Sequence, residues 1–148
     1  FAATRGGQSL SPLFSRDACL PMIAVLAEAV ARRMPVSALL ADLPDIATAT
    51  GRLQNIPASR SKAAIEALRR DPARRRQLFQ GFGAELAGGA AATVPDNVLC
   101  CRFEGERQVI LRPSGNAPEL RAYVEASSAA RPAALLDVLL ERLTAQLS

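Results

Sequence analysis

A chain of 148 residues has room for one domain, or for one domain plus a fragment of another. Its hydrophobic fraction of 49% and its lack of long charged tracts exclude a disordered polypeptide. No apolar run reaches the roughly 18 residues of a membrane-spanning helix, and the net charge of +4, nearly all of it from arginine, suits an anionic ligand without separating a sugar phosphate from nucleic acid.

In chain order, residues 1–15 contain Gly, Ser and Pro without a period and read as loop. Gly6-Gly7-Gln8-Ser9 lacks the strand-to-helix context of a phosphate cradle and reads as a flexible segment. The N-terminus has no apolar core long enough for a signal peptide and no starting Met, which predicts a chain that begins mid-protein or has been trimmed. Asp17 is a candidate N-cap for a helix running to about Arg33. Leu20, Ile23, Ala24, Ala27 and Val30 then form one apolar face. Pro35 ends that helix, and Val36 to Leu43 predict a short second one before Pro44.

Asp45 to Ala49 reads as a hinge and Gly51 to Ile56 as a first strand. A helix from about Arg60 to Arg70 buries Ala64, Ile65 and Leu68. Asp71-Pro72 restarts a helical segment by the N-cap and proline-at-N1 rule, ending near Gly81. Arg69, Arg70, Arg74, Arg75 and Arg76 form the densest basic cluster. With only Phe79 nearby as a base-stacking residue, a solvated helix face is the better reading than a nucleic-acid contact. Gly83 to Thr93 is Ala/Gly-rich and reads as a mobile connection.

Three strands follow. Asn97–Phe103 turns through Glu104-Gly105-Glu106 into Arg107–Leu111, and a further turn leads into Glu119–Ala126. Alternation puts Leu120, Ala122 and Val124 on one face of the last strand, with Arg121, Tyr123 and Glu125 on the other. Pro132 opens a final helix whose leucines at 135, 136, 139, 140, 143 and 147 make a core stripe. From Gly51 the order is thus β-α-β-β-β-α, an α+β domain with an antiparallel sheet covered by helices.

The most informative stretch is the turn between the last two strands, Arg112-Pro113-Ser114-Gly115-Asn116-Ala117-Pro118-Glu119-Leu120-Arg121. Pro fixes φ, while Gly and Asn tolerate positive φ, so successive backbone N–H groups can converge on an anion. Ser114 and Asn116 add side-chain donors, and Arg112 and Arg121 can each present a planar fork to a phosphate. The stretch reads as a phosphate-binding loop. The bland alternative is a tight hairpin whose arginines pair with Glu119 or Glu125.

The same residues carry a resemblance. Arg-Pro-Ser-Gly-Asn-Ala-Pro-Glu-Leu-Arg resembles the phosphate-binding signature of the α-D-phosphohexomutases, commonly Arg-Pro-Ser-Gly-Thr-Glu-Pro-x-x-Arg, with Asn116 in place of Thr and Ala117 in place of Glu. Ser-Arg-Asp-Ala-Cys-Leu-Pro-Met similarly looks like the end of that family's third domain. The resemblance implies a division into residues 1–45, a helical remnant of the α/β third domain, and 46–148, the fourth, phosphate-binding domain. It implies that Arg112, Ser114, Gly115, Asn116 and Arg121 grip the phosphate that is not reacting, while the Asp45–Ala49 hinge lets the domain close the cleft. In such enzymes a phosphoserine donates its phosphoryl to a hexose phosphate, and the bisphosphate reorients and returns the other one. The serine and the Mg2+-holding Asp-rich loop of the family have no counterpart in this sequence. The phosphomannomutase/phosphoglucomutase branch fits best, and the resemblance implies that the chain is the C-terminal part of a cytoplasmic isomerase.

The implied partners are a hexose phosphate (mannose or glucose 1- or 6-phosphate) and the missing N-terminal domains, with no nucleic acid and no membrane. Taken alone, the residues agree with a non-catalytic piece. The chain has no histidine, no serine with a base beside it and no acidic cluster with metal-ligand spacing. Cys19, Cys100 and Cys101 make a poor disulfide framework and read as reduced, apolar side chains. Two other classes stay open: a stand-alone sugar-phosphate-binding module, and a basic nucleic-acid-binding domain using the arginine helix.

Overall fold

A computed structural model describes residues 3–5, 8–10, 19–86 and 97–147. Asp17, Gly6-Gly7 and the larger part of the Gly83–Thr93 connection lie outside the described residues. The chain divides into two compact units, Phe1–Pro44 and Asp45–Ser148.

In the first unit, β1 (Ala3–Arg5) pairs antiparallel with β2 (Gln8–Leu10), so Gln8 and Ser9 belong to a strand and not to loop. The Gly-Gly dipeptide between two short runs is the sequence signal for such a hairpin. Helix α1 (Cys19–Arg32) ends as its sequence dictates. Arg33 takes a left-handed φ of 52°, its N–H donates to the Val30 carbonyl, and the Met34 N–H donates to the Ala29 carbonyl, which closes the helix in a Schellman motif. Pro35 then forbids continuation, and Val36–Asp42 form a 3-10 helix. Ala29 is the buried residue of α1; Ile23 and Val30, on the anticipated core face, are exposed.

The second unit is built on a four-stranded antiparallel sheet: β3 (Ala47–Gln54), β4 (Leu99–Phe103), β5 (Arg107–Pro113) and β6 (Glu119–Ala126), in spatial order β3-β6-β5-β4. The segment anticipated as a hinge overlaps the sheet. Ala47–Ala49 are ladder residues of β3, opposite Ala126, Glu125 and Val124, because the small and β-branched residues of this run fit a half-buried pleat. β4 and β5 turn through Gly105 and Glu106, both at positive φ.

Helices α2 (Ala58–Arg70), α3 (Pro72–Leu78) and α4 (Pro132–Leu147) complete the unit. Asp71 caps α3, its carboxylate accepting from the N–H groups of Ala73 and Arg74 at 2.9 and 3.1 Å, with Pro72 at the first helical position. α4 packs on β3 and β6, and α2 packs on β4, β5 and β6. Leu136, Leu139, Leu143 and Leu147 of α4 are buried, each worth roughly 1.5–3 kcal/mol of transfer free energy. They meet Val109, Leu111, Leu120, Ala122 and Val124 from the sheet and Ile65 and Leu68 from α2. Phe79, Phe82 and Phe103 stack edge-on or tilted beside them, with centroids 5.3–5.9 Å apart. Gly51 sets how closely α4 approaches β3: a Cβ there would stand 2.7 Å from Leu140 Cδ1.

All these core residues lie on one side of the sheet. On the other, alternation places Thr48, Thr50 and Arg52 of β3, Arg121, Tyr123 and Glu125 of β6, and Gln108 and Arg112 of β5. The second unit therefore has one helix-covered face and one open, polar face.

Candidate functional site

The loop at 114–118 joins β5 to β6 and continues their hairpin. Arg112 and Arg121 face each other as register partners at its base, both on the open face, as the alternation anticipated. Pro113 and Leu120, the next pair toward the tip, are buried and anchor the loop in the core.

The loop is held by its own backbone. The Ser114 N–H donates to the Glu119 carbonyl at 2.8 Å, and the Glu119 N–H donates to the Ala117 carbonyl at 2.8 Å. The Asn116 N–H reaches the Ser114 hydroxyl at 3.4 Å, a serine turn. The Ile56 N–H donates to the Pro118 carbonyl at 2.9 Å, fastening the loop to the end of β3. The turn closes without the positive φ anticipated at Gly115 and Asn116; neither residue is left-handed. An added Cβ at 115 would meet no atom within 4 Å, so the tip of the loop stands in open space. Gly115 and Asn116 are exposed.

The structure adds a third arginine that the sequence reading did not single out. Arg52 of β3 lies opposite Arg121, so Arg52, Arg121 and Arg112 form one row across three adjacent strands. Alternation along β3 put Arg52 on a polar face, but only the pairing of the first strand with the last brings it beside the loop. Glu119 serves this row from a nearly buried position, its side chain only 10% exposed. It accepts from Arg52 Nη1 at 3.2 Å and from Arg121 Nε at 3.4 Å. Arg121 thus has the carboxylate partner that the bland alternative foresaw. The contact is long and Arg121 is partly solvated, a combination that contributes little to stability. The Arg112 guanidinium stands over the Tyr123 ring, 5.7 Å from its centroid, a cation–π distance. A concavity of about 380 Å³ opens on this face, lined by Thr50, Gly51, Arg52, Arg121 and Tyr123.

The other basic cluster is built differently. Arg75 is not on a solvated face: its Nε pairs with the Glu85 carboxylate at 2.9 and 3.2 Å, and its Nη1 donates to the carbonyls of Leu68 and Arg69 at 2.8 and 2.9 Å. It thereby caps the C-terminus of α2. Arg69 donates to the Val98 carbonyl, and Arg70 pairs with Glu66 one helical turn away.

The cysteines offer little reactivity here. Burial, reinforced by Glu85, pushes the Cys101 thiol up to about 12, and burial raises Cys100 as well. Both stay protonated near neutrality, and the thiolate is the reactive form. Cys19 is exposed. Among the described residues, no three His, Cys, Asp or Glu side chains gather as metal ligands, and no helix is long and apolar enough to cross a membrane.

Residues 29–142 match the family described as "Phosphoglucomutase/phosphomannomutase, C-terminal domain". The chain is 41% identical over 121 residues to a phosphomannomutase of Sinorhizobium fredii (strain NBRC 101917 / NGR234), an alignment covering 82% of this chain and 24% of that protein. It is 31% identical over 144 residues to a phosphomannomutase of Salmonella muenchen, covering 93% of this chain and 28% of the relative. The chain thus spans about a quarter of the length of the curated relatives it matches.

Proposed function

The chain belongs to the phosphoglucomutase/phosphomannomutase family through its C-terminal domain, and on that premise we propose that it is the phosphate-gripping part of a phosphohexomutase. In this reading the loop at 114–118, with Arg112 and Arg121 at its base, holds the phosphate of a mannose or glucose phosphate that is not being transferred. The observation that carries the reading is the composition of the loop: a register-paired couple of arginines under an exposed tip at Gly115 and Asn116. Two guanidinium forks supply charge-assisted hydrogen bonds, worth roughly 1.5–3 kcal/mol each. The Ser114 and Asn116 side chains supply direction, while the N–H groups of Ser114, Asn116 and Glu119 hold the loop itself. The Glu119 carbonyl holds Ser114 in place, so the loop needs little reorganisation to receive an anion.

Gripping the far phosphate fixes the sugar and presents its other end to chemistry performed elsewhere in the longer protein. The described residues offer no ligand set for magnesium, so no step of the proposal runs through a metal on this chain. We assign the phosphorylated serine and the metal loop to the part of the protein that the relatives have and this chain does not span. Residues 1–45 are, in the same reading, the closing segment of the preceding domain. The same reading makes the longer protein a cytoplasmic enzyme acting on phosphorylated sugars.

Titration of the chain with a hexose 6-phosphate, followed by amide-resolved NMR, tests the proposal. Shifts centred on Ser114 to Asn116 and Arg121 are expected. Shifts centred instead on α2 and α3 would overturn it in favour of a basic-helix site.

A further inference from the structure

A row of three arginines on adjacent strands is costly. Like charges placed opposite one another destabilise a sheet, and neighbouring strands stand only about 4.8 Å apart. The core does not require the row, because Arg52, Arg121 and Arg112 all lie on the face away from the helices. Among the described residues Glu119 is the carboxylate that touches it, through Arg52 and Arg121, and three guanidinium groups against that one carboxylate leave a formal charge of +2. The two ends of the row also differ. Arg112 sits on β5, directly before the loop. Arg52 sits on the outer strand β3, about 10 Å away across the sheet by strand spacing, with its side chain 58% exposed. On the β3–β6 side of the row opens the concavity of about 380 Å³, lined by Arg52 and Arg121 together with Thr50 and Tyr123, the register pair two positions along those strands.

We propose that Arg52, with Arg121, Thr50 and Tyr123, forms a second anion subsite on the open sheet face, which takes the second phosphate of a sugar bisphosphate whose first phosphate is in the loop. The proposal rests on the loop reading for the first phosphate. The ligand class follows from charge and spacing. One dianion at the loop engages Arg112, Arg121 and the loop donors; Arg52, on the far side of Arg121 and two strands from Arg112, supplies a second positive centre that shares Arg121 with the first, which fits a ligand carrying two dianions on one polyhydroxylated frame. Glu119 has a part in this arrangement. It holds the Nη1 corner of Arg52 and the Nε edge of Arg121, orienting both forks across the row. It also lowers the charge that the empty site must carry. A bisphosphate gripped at both ends would stay on this domain while released from the reacting centre, which a single-phosphate grip would not ensure.

Calorimetric or NMR titration of the full chain and its Arg52→Ala and Arg112→Ala variants, with a hexose 6-phosphate and a hexose 1,6-bisphosphate as probes, decides the matter. The wild-type chain is expected to bind the bisphosphate about tenfold more tightly, the yield of one added charge-assisted contact. Arg52→Ala should erase that preference while leaving monophosphate affinity within about twofold, since Arg52 is exposed and outside the core. Equal affinity for the two probes in the wild-type chain would overturn the proposal. Equal proportional losses for both probes in Arg52→Ala would also overturn it, by making Arg52 part of the loop site. Arg112→Ala reports separately on the loop. If it leaves monophosphate binding intact the loop reading falls, while a bisphosphate preference that depends on Arg52 would still establish the sheet subsite.

Discussion

Five arginines lie between positions 69 and 76, and three more, Arg52, Arg112 and Arg121, share one row of the open sheet face. By charge density the first group is the stronger candidate for an anion site. Its central member is nevertheless consumed by the fold: Arg75 is 12% exposed, locked onto Glu85 and onto two carbonyls at the end of α2. Arg142 does the same for α3, donating to the carbonyls of Leu78 and Gln80. The sheet row has the opposite balance: among the described residues one carboxylate, Glu119, touches two of its three guanidinium groups, and the row lies beside a loop whose Gly115 is exposed. What separates a binding arginine from a structural one here is the supply of acceptors around it, which charge counting along the sequence does not reveal.

Substitutions can sharpen or break this contrast. The largest effect should come from Arg75→Ala, which strands the Glu85 carboxylate and uncaps α2. A stability loss of about 3 kcal/mol is expected in urea unfolding, with phosphate affinity per folded molecule unchanged. A stability loss below about 0.5 kcal/mol would place Arg75 with ordinary surface charges after all. Arg112→Ala should do the reverse. Its exposed guanidinium leaves the fold nearly untouched, while affinity for a hexose 6-phosphate falls about thirtyfold by titration, the equivalent of about 2 kcal/mol. The smallest effect belongs to Arg70→Ala, whose exposed pair with Glu66 is an i,i+4 contact. Stability should change by less than about 0.5 kcal/mol and phosphate affinity not at all. A drop in phosphate affinity there matching that of Arg112→Ala would mean that net charge, and not the loop, binds the anion.

Local chemistry was well written in the chain. Asp71-Pro72 announced the start of α3, Pro35 the end of α1, and Glu104-Gly105-Glu106 the β4–β5 turn, because each depends on a fixed φ, a missing N–H or a nearby side-chain acceptor. The strand alternation of β6 was equally legible, and with it the shared face of Arg121 and Tyr123. Three features were not. Ala47–Ala49 looked like a hinge because alanine and threonine carry little strand signal without a partner, and β6 supplies that partner from more than seventy positions away. The exposed α1 face could not be anticipated from a period that reads the same whether or not a neighbour covers it. Arg75 looked solvated because its acceptors, Glu85 and the end of α2, meet it only in the packed structure.

The sequence by itself determined the α+β order of the second unit, the turn at Ser114–Asn116 and the placement of Arg112 and Arg121 beside it, since these follow from residues within a dozen positions of one another. Only the tertiary structure decided that Arg52 joins that row, that Glu119 serves both Arg52 and Arg121, and that the open face carries a concavity beside the loop. Those facts depend on pairing the first strand of the sheet with the last. That register puts the partly buried Leu53 beside the buried Leu120 and Pro113 on the core side, and it turns Arg52 toward the loop's face as a consequence.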